Sequence, residues 1–142
     1  MKFLKKITLS ALFVIFVVPA CFAEKIDYPK NLWMGIIGEA VGEGYEGMYA
    51  VACVYRNRIM AGMPLGCVAM KRNDLDQFVK DQEKKHEIMA KKVIWKVFKD
   101  NSPDITGGAT HYENITAFGF PFWAAEMKIT TTVGSHTFFV EK

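Results

Sequence analysis

Residues 48–54, Met-Tyr-Ala-Val-Ala-Cys-Val, are apolar nearly all round a helix, and this run constrains the fold more than any other feature of the chain. A helix without a polar face belongs at the centre of a domain, with other elements packed on every side. The helix carrying the run is predicted over residues 45–61, with Glu46 in a first turn that favours an acid and Gly62 and Pro64 closing it. Arg56, Asn57 and Arg58 bring polarity to its last turns, where positive charge suits the exposed carbonyls of the helix end.

Two further helices are expected around this centre. Leu32, Trp33, Ile36, Ile37 and Ala40 share one arc at helical spacing, giving a helix over residues 32–41 that Asn31 caps and Gly42 and Gly44 end. Ala90, Val93, Ile94, Val97 and Phe98 follow the i, i+3, i+4, i+7, i+8 pattern and predict a helix over residues 83–99, which Asn101, Ser102 and Pro103 stop. Between them, residues 65–70 and 75–79 suit short helical turns. Beyond residue 103 the texture changes to Thr, Gly and aromatics, and residues 109–112, 128–133 and 137–140 read as short strands. The expected class is α+β, mostly α: a compact helical domain with a small β-sheet in a C-terminal lobe.

A chain of 142 residues has room for one domain. Lys2, Lys5 and Lys6 precede an apolar run over residues 7–18, and Cys21 and Ala23 stand three and one residues before a cut that would leave Glu24 first. This is the pattern of a secretory signal peptide over residues 1–23, leaving a domain of residues 24–142 in the periplasm or outside the cell. The run is short for a membrane span, and Pro19 counts against lipid modification of Cys21. No stable membrane span is expected once the leader is cut, and the domain is expected to act as a monomer.

The chain has 18 basic and 15 acidic residues, but three of the lysines and none of the acids lie in residues 1–23, so the rest is balanced. Net charge therefore gives no case for nucleic acid as a partner. The lysines at 80, 84, 85, 91, 92, 96 and 99, mixed with Asp81, Glu83 and Glu87, read as a solvated helix face, with attraction to an anionic cell-wall polymer as the alternative. Cys53 lies in the apolar run and reads as a buried small hydrophobe, although export would permit a bridge to Cys67. No CxxC, HExxH or paired Cys/His spacing suggests a metal, and His86, His111 and His136 are too few to favour one.

Glu39 is the acid best placed for chemistry. It lies at the margin of the apolar stripe of the first helix, with Glu43, in the glycine-framed run GEAVGEGYEG over residues 38–47. Partial desolvation there disfavours the charged carboxylate, as an acid catalyst requires. The alternative is a helix-end glutamate facing water. In the C-terminal third, Thr110, His111, Tyr112, Glu113 and Asn114 stand near Phe118, Phe120, Phe122, Trp123 and His136, a mixture that suits stacking on sugar rings with hydrogen bonds to their hydroxyls. Taken singly, Phe122 and Trp123 fit core positions and His136, near Gly134, a turn.

The run over residues 37–47, with residues 50–52 and 56–58, resembles the opening of the cell wall hydrolase family that includes spore-cortex-lytic enzymes. The order continues with Gln77-Phe78, with the glycine-rich segment 106–112, with Pro121 and Trp123-Ala124, and with Gly134, His136 and Phe138. The resemblance implies a lysozyme-like, mostly helical fold with a small sheet, acting on peptidoglycan glycan strands. The family's catalytic glutamate falls on Glu39 and its second acid on Glu43; Val41 replaces the arginine usual between them, and Gly44 stands where proline is common.

Cleavage between N-acetylmuramic acid and N-acetylglucosamine needs a proton on the leaving oxygen, which Glu39 would supply. Were Glu43 a nucleophile, the carboxyls should lie roughly 5 to 5.5 Å apart, and as a base for water roughly 6.5 to 9.5 Å. The preferred reading is a lytic transglycosylase in which Glu39 acts as acid and then base, with Glu43, Gln77, His111, Tyr112, Asn114, Trp123 and His136 holding the glycan and no metal or organic cofactor required. A hydrolytic muramidase and a non-catalytic secreted glycan-binding protein are the rivals.

Overall fold

The computed structural model describes residues 26–142; the signal peptide expected over residues 1–23 lies outside them. Five α-helices and three strands follow in the order α1 (Leu32–Ala40), α2 (Gly44–Met60), α3 (Leu75–Lys80), α4 (Lys84–Phe98), β1 (His111–Glu113), α5 (Ile115–Phe118), β2 (Lys128–Val133) and β3 (His136–Val140). The fold is α+β and mostly α, as expected. No helix among the described residues is long and apolar enough to cross a membrane.

The all-apolar helix takes the centre. Every residue of α2 from Gly47 to Arg56 is buried. It packs against α1 and α4 on the helical side, while Ala50 and Val54 form a second cluster with Ala109 and Phe138 beneath the sheet. The buried stripe of α4 is the predicted one, and its lysine face is solvated, with Lys84 and Lys91 paired to Glu87 and Lys96 to Asp100. Asn31 precedes α1 but makes no side-chain cap bond. Cys53 and Cys67 are both buried and free, and burial pushes the Cys53 thiol up to about 11.

The sheet is antiparallel with order β1-β3-β2, so the last strand in the chain is the middle one. Tyr112 pairs with Phe138 and His111 with Phe139, and the β2–β3 ladder slips by one residue between Ile129 and Thr131. The predicted strand over residues 109–112 begins at His111 instead. Residues 104–109 before it form a tight loop around Asp104, which accepts bonds from the Thr106 N–H, the Thr106 hydroxyl and the Gly108 N–H. Gly107 and Gly108 both have positive φ there, a conformation that strains any residue with a Cβ.

The polar turn 56–58 does not serve the carbonyls of its own helix. Arg56 donates to Val97 O and Ser102 O, Asn57 to Asp104 and Ala109 O, and Arg58 to Pro64 O and Thr110 O. These three side chains tie the central helix to the end of α4, to the Asp104 loop and to the start of β1. Arg58 does stand in the last turn of α2, as expected, but the side chains of all three residues direct their hydrogen bonds to other segments.

Candidate active site

Glu39 stands in the last turn of α1, before the chain turns sharply through a single 3₁₀ turn at Val41–Glu43. Gly35 and Gly38 explain how it is held. A Cβ on Gly35 would press on Cys67 Sγ and Met70, and one on Gly38 would press on Ala69, so only glycines let segment 67–70 lie this close to the helix. The approach brings the Ala69 N–H to 2.7 Å from Glu39 Oε1, with Cys67 Sγ 3.9 Å from the same oxygen. Glu39 is half-buried, one oxygen fixed by a backbone donor.

The other side of Glu39 opens on a cleft of about 410 Å³ between the helical body and the sheet. Glu39, Tyr55, Arg58, Leu65 and Val68 line one side and Thr110, His111, Tyr112, Glu113 and Trp123 the other. Tyr112 lines the cleft with Glu39, and its hydroxyl shares a 2.8 Å hydrogen bond with the Tyr55 hydroxyl. Burial, then the neighbouring Glu39 charge, holds the Tyr112 phenol well above its ordinary range. The His111 ring lies 5.4 Å from that of Trp123, centroid to centroid, and its charged form is disfavoured first by burial and then by Arg58.

The remaining expected residues are placed elsewhere. Gln77 is exposed on α3, outside the cleft lining, and donates to Asp81 at 2.7 Å. Asn114 caps α5, accepting from the Ala117 N–H at 3.0 Å and donating to the Ser135 hydroxyl at 3.2 Å. His136 is no turn residue: it opens β3, buried, with its ring 5.1 Å from that of Tyr112 and its Nδ1 unpaired among the described residues. The core reading of Phe122 and Trp123 is corrected too, since they are 92% and 38% exposed. Their segment forms a short 3₁₀ turn at the rim, where the Trp123 ring packs against His111 and edge-on against Phe139.

Glu43 shares none of Glu39's hydrogen-bond partners. Its carboxylate accepts hydrogen bonds from both the N–H and the hydroxyl of Ser135, in the turn between β2 and β3. Gly134 has φ +57° and a Cβ there would overlap Glu43 Oε2, so the turn must be glycine to receive the acid. The Ser135 hydroxyl first, and its N–H second, hold the Glu43 carboxyl below the usual range. A carboxyl lowered by folding stabilises the fold above its unfolded value, about pH 4.3, and loses that contribution as pH falls through the lowered folded value. We expect E43Q to cost about 1–2 kcal/mol at pH 7, in line with loss of partly exposed bonds to a charged group, and to cost progressively less below about pH 4. Denaturant melts of both proteins from pH 7 to 3 check this; a difference unchanged with pH would show that the ionised carboxylate is not the stabilising form.

Glu113 and Tyr55 are cleft residues that sequence reasoning did not select. Glu113 was visible only as one polar residue in a row, and Tyr55 as one more apolar position in the central helix.

A family model described as Cell Wall Hydrolase matches residues 42–139, and the chain belongs to that family. Membership makes it an enzyme that breaks down peptidoglycan, with its place at the cell envelope or outside the cell. The match spans the sheet, the Asp104 loop, Tyr112 and Trp123, and begins three residues after Glu39. No curated protein matches the chain, and no solved structure does.

Proposed function

We propose that the protein cuts the glycan strand between N-acetylmuramic acid and N-acetylglucosamine as a lytic transglycosylase, with Glu39 as both acid and base. The observation that carries this reading is a half-buried carboxyl group fixed at one oxygen by the Ala69 N–H and lying against a cleft whose far wall is His111, Tyr112 and Trp123. Glu39 gives its proton to the bridging oxygen as positive charge develops at the muramic acid C1. The resulting carboxylate then takes the proton of the same sugar's 6-hydroxyl, whose oxygen closes on C1. The strand ends as a 1,6-anhydro sugar, no water is consumed, and Glu39 regains its proton. Trp123 offers a ring face at the cleft rim for a sugar, and Glu43, bonded to Ser135, is left out of the chemistry.

Hydrolysis at the same bond is the second reading, and Glu113 favours it. Its carboxylate also lines the cleft, with one oxygen accepting from the Asn114 N–H at 2.9 Å and the other able to activate water. Mass spectrometry of fragments released from purified peptidoglycan separates the two. Anhydro ends are expected; water-added reducing ends, together with loss of cleavage in E113Q, would replace the transglycosylase by a muramidase. Protein that binds the wall and releases no fragment would be a glycan-binding protein instead.

A further inference from the structure

Tyr55 lies deep in α2, 1% exposed, yet its hydroxyl reaches the floor of the cleft. A buried phenol needs a hydrogen-bond partner that phenylalanine in the same space would not, and here the partner is the Tyr112 hydroxyl at 2.8 Å. Tyr112 lines the same cleft as Glu39, whose Oε1 is held by the Ala69 N–H, and the Glu39 charge is felt at its phenol. The bonded phenol pair thus leads from the core to the cleft that Glu39 lines.

Each phenol has one hydrogen to give, and burial keeps both phenols protonated throughout the working pH range. With Tyr55 donating to the Tyr112 oxygen, the Tyr112 hydrogen is free to turn to an ionised Glu39. With the direction reversed, Tyr112 donates to Tyr55, whose own hydrogen turns to the neighbouring Cys67 sulfur, and presents lone pairs to a protonated Glu39. Only hydroxyl rotations separate the two arrangements, and neither moves a heavy atom.

We propose that Tyr55 is a positioning residue that acts through Tyr112, setting the direction of hydrogen bonding at Glu39 and reversing it as the acid gives up and recovers its proton. The proposal rests on Glu39 being the acid. It predicts an effect on turnover and not on binding, because Tyr55 is buried beneath the groups that meet the substrate.

The test uses Y55F, Y112F, the double variant and E39Q in the full chain, assayed on purified glycan strands. Y55F is expected to lower kcat about 5- to 20-fold with KM within about twofold of wild type, the size of one lost hydrogen bond in a linked series. In the Y112F background the Y55F change should have no further effect, since the path through Tyr112 is already cut. Wild-type kcat in Y55F, a loss that multiplies undiminished in the double variant, or a change confined to KM would each overturn the proposal. Should Y55F not fold, Y112F alone decides: an unchanged kcat there defeats it. An active E39Q would instead remove the acid assignment, whereas an inactive E39Q beside a fully active Y55F would remove only the role of Tyr55.

Discussion

Replacing Glu39 with glutamine is expected to slow glycan cleavage about 10²- to 10⁴-fold while leaving the fold intact, the usual cost of removing a general acid. Glutamine matches glutamate in size, and its amide oxygen can still accept from the Ala69 N–H that holds Oε1 at 2.7 Å. The approach of segment 67–70 to α1, which depends on Gly35 and Gly38, is untouched. What the amide cannot do is release a proton to the bridging oxygen. The readout is the initial rate of soluble fragment release from purified sacculi, with circular dichroism and a thermal melt as the folding check. A folded E39Q that clears sacculi at the wild-type rate would leave the cleft without its acid.

The second large effect falls far from the chemistry. R56A is expected to destabilise the domain by about 3–5 kcal/mol, because truncation removes charged hydrogen bonds and strands buried acceptors together. Arg56 is 5% exposed, and its Nη1 donates to Val97 O at 3.1 Å and to Ser102 O at 2.7 Å, carbonyls at the end of α4 and in the segment after it. Asn101, between them, has φ +48°, so this stretch is held in a conformation that a residue with a side chain rarely adopts unaided. For a domain of this size the loss corresponds to a fall in Tm of roughly 10–25 °C. R56K restores the charge but not the forked donor geometry and should recover only part of the loss. A Tm within a few degrees of wild type in R56A would mean that water satisfies both carbonyls once the guanidinium is gone.

The helical half of the fold was legible because its signal is periodic and local. The stripe of α4, the all-apolar face of α2 and the arc of α1 each state where a helix lies and which side is buried, and each element begins and ends within a residue or two of its predicted bounds. The roles of the polar residues were less legible, because a sequence gives no partner for them. Arg56 and Arg58 stand where a helix end favours cations, and nothing local says that their carbonyl partners belong to residues 97, 102, 64 and 110. Glu43 stands four residues from Glu39, and only the turn at Gly134 and Ser135 shows what it binds. Phe122 and Trp123 look like core by composition, but a four-residue helix and a 3₁₀ turn are too short to bury both sides of their segment.

The strand order β1-β3-β2 bears on when the enzyme becomes competent. Residues 136–140 supply both ladders, so during synthesis neither outer strand has a neighbour to pair with until that stretch has emerged. A nascent chain short of it already holds Glu39, Ala69 and Tyr55, yet Tyr112 still lacks Phe138, its strand partner. Sequence-distant pairing of this kind is slow to form compared with the local contacts of the helices. Assembly of the proposed glycan cleft therefore waits for the β2–β3 hairpin.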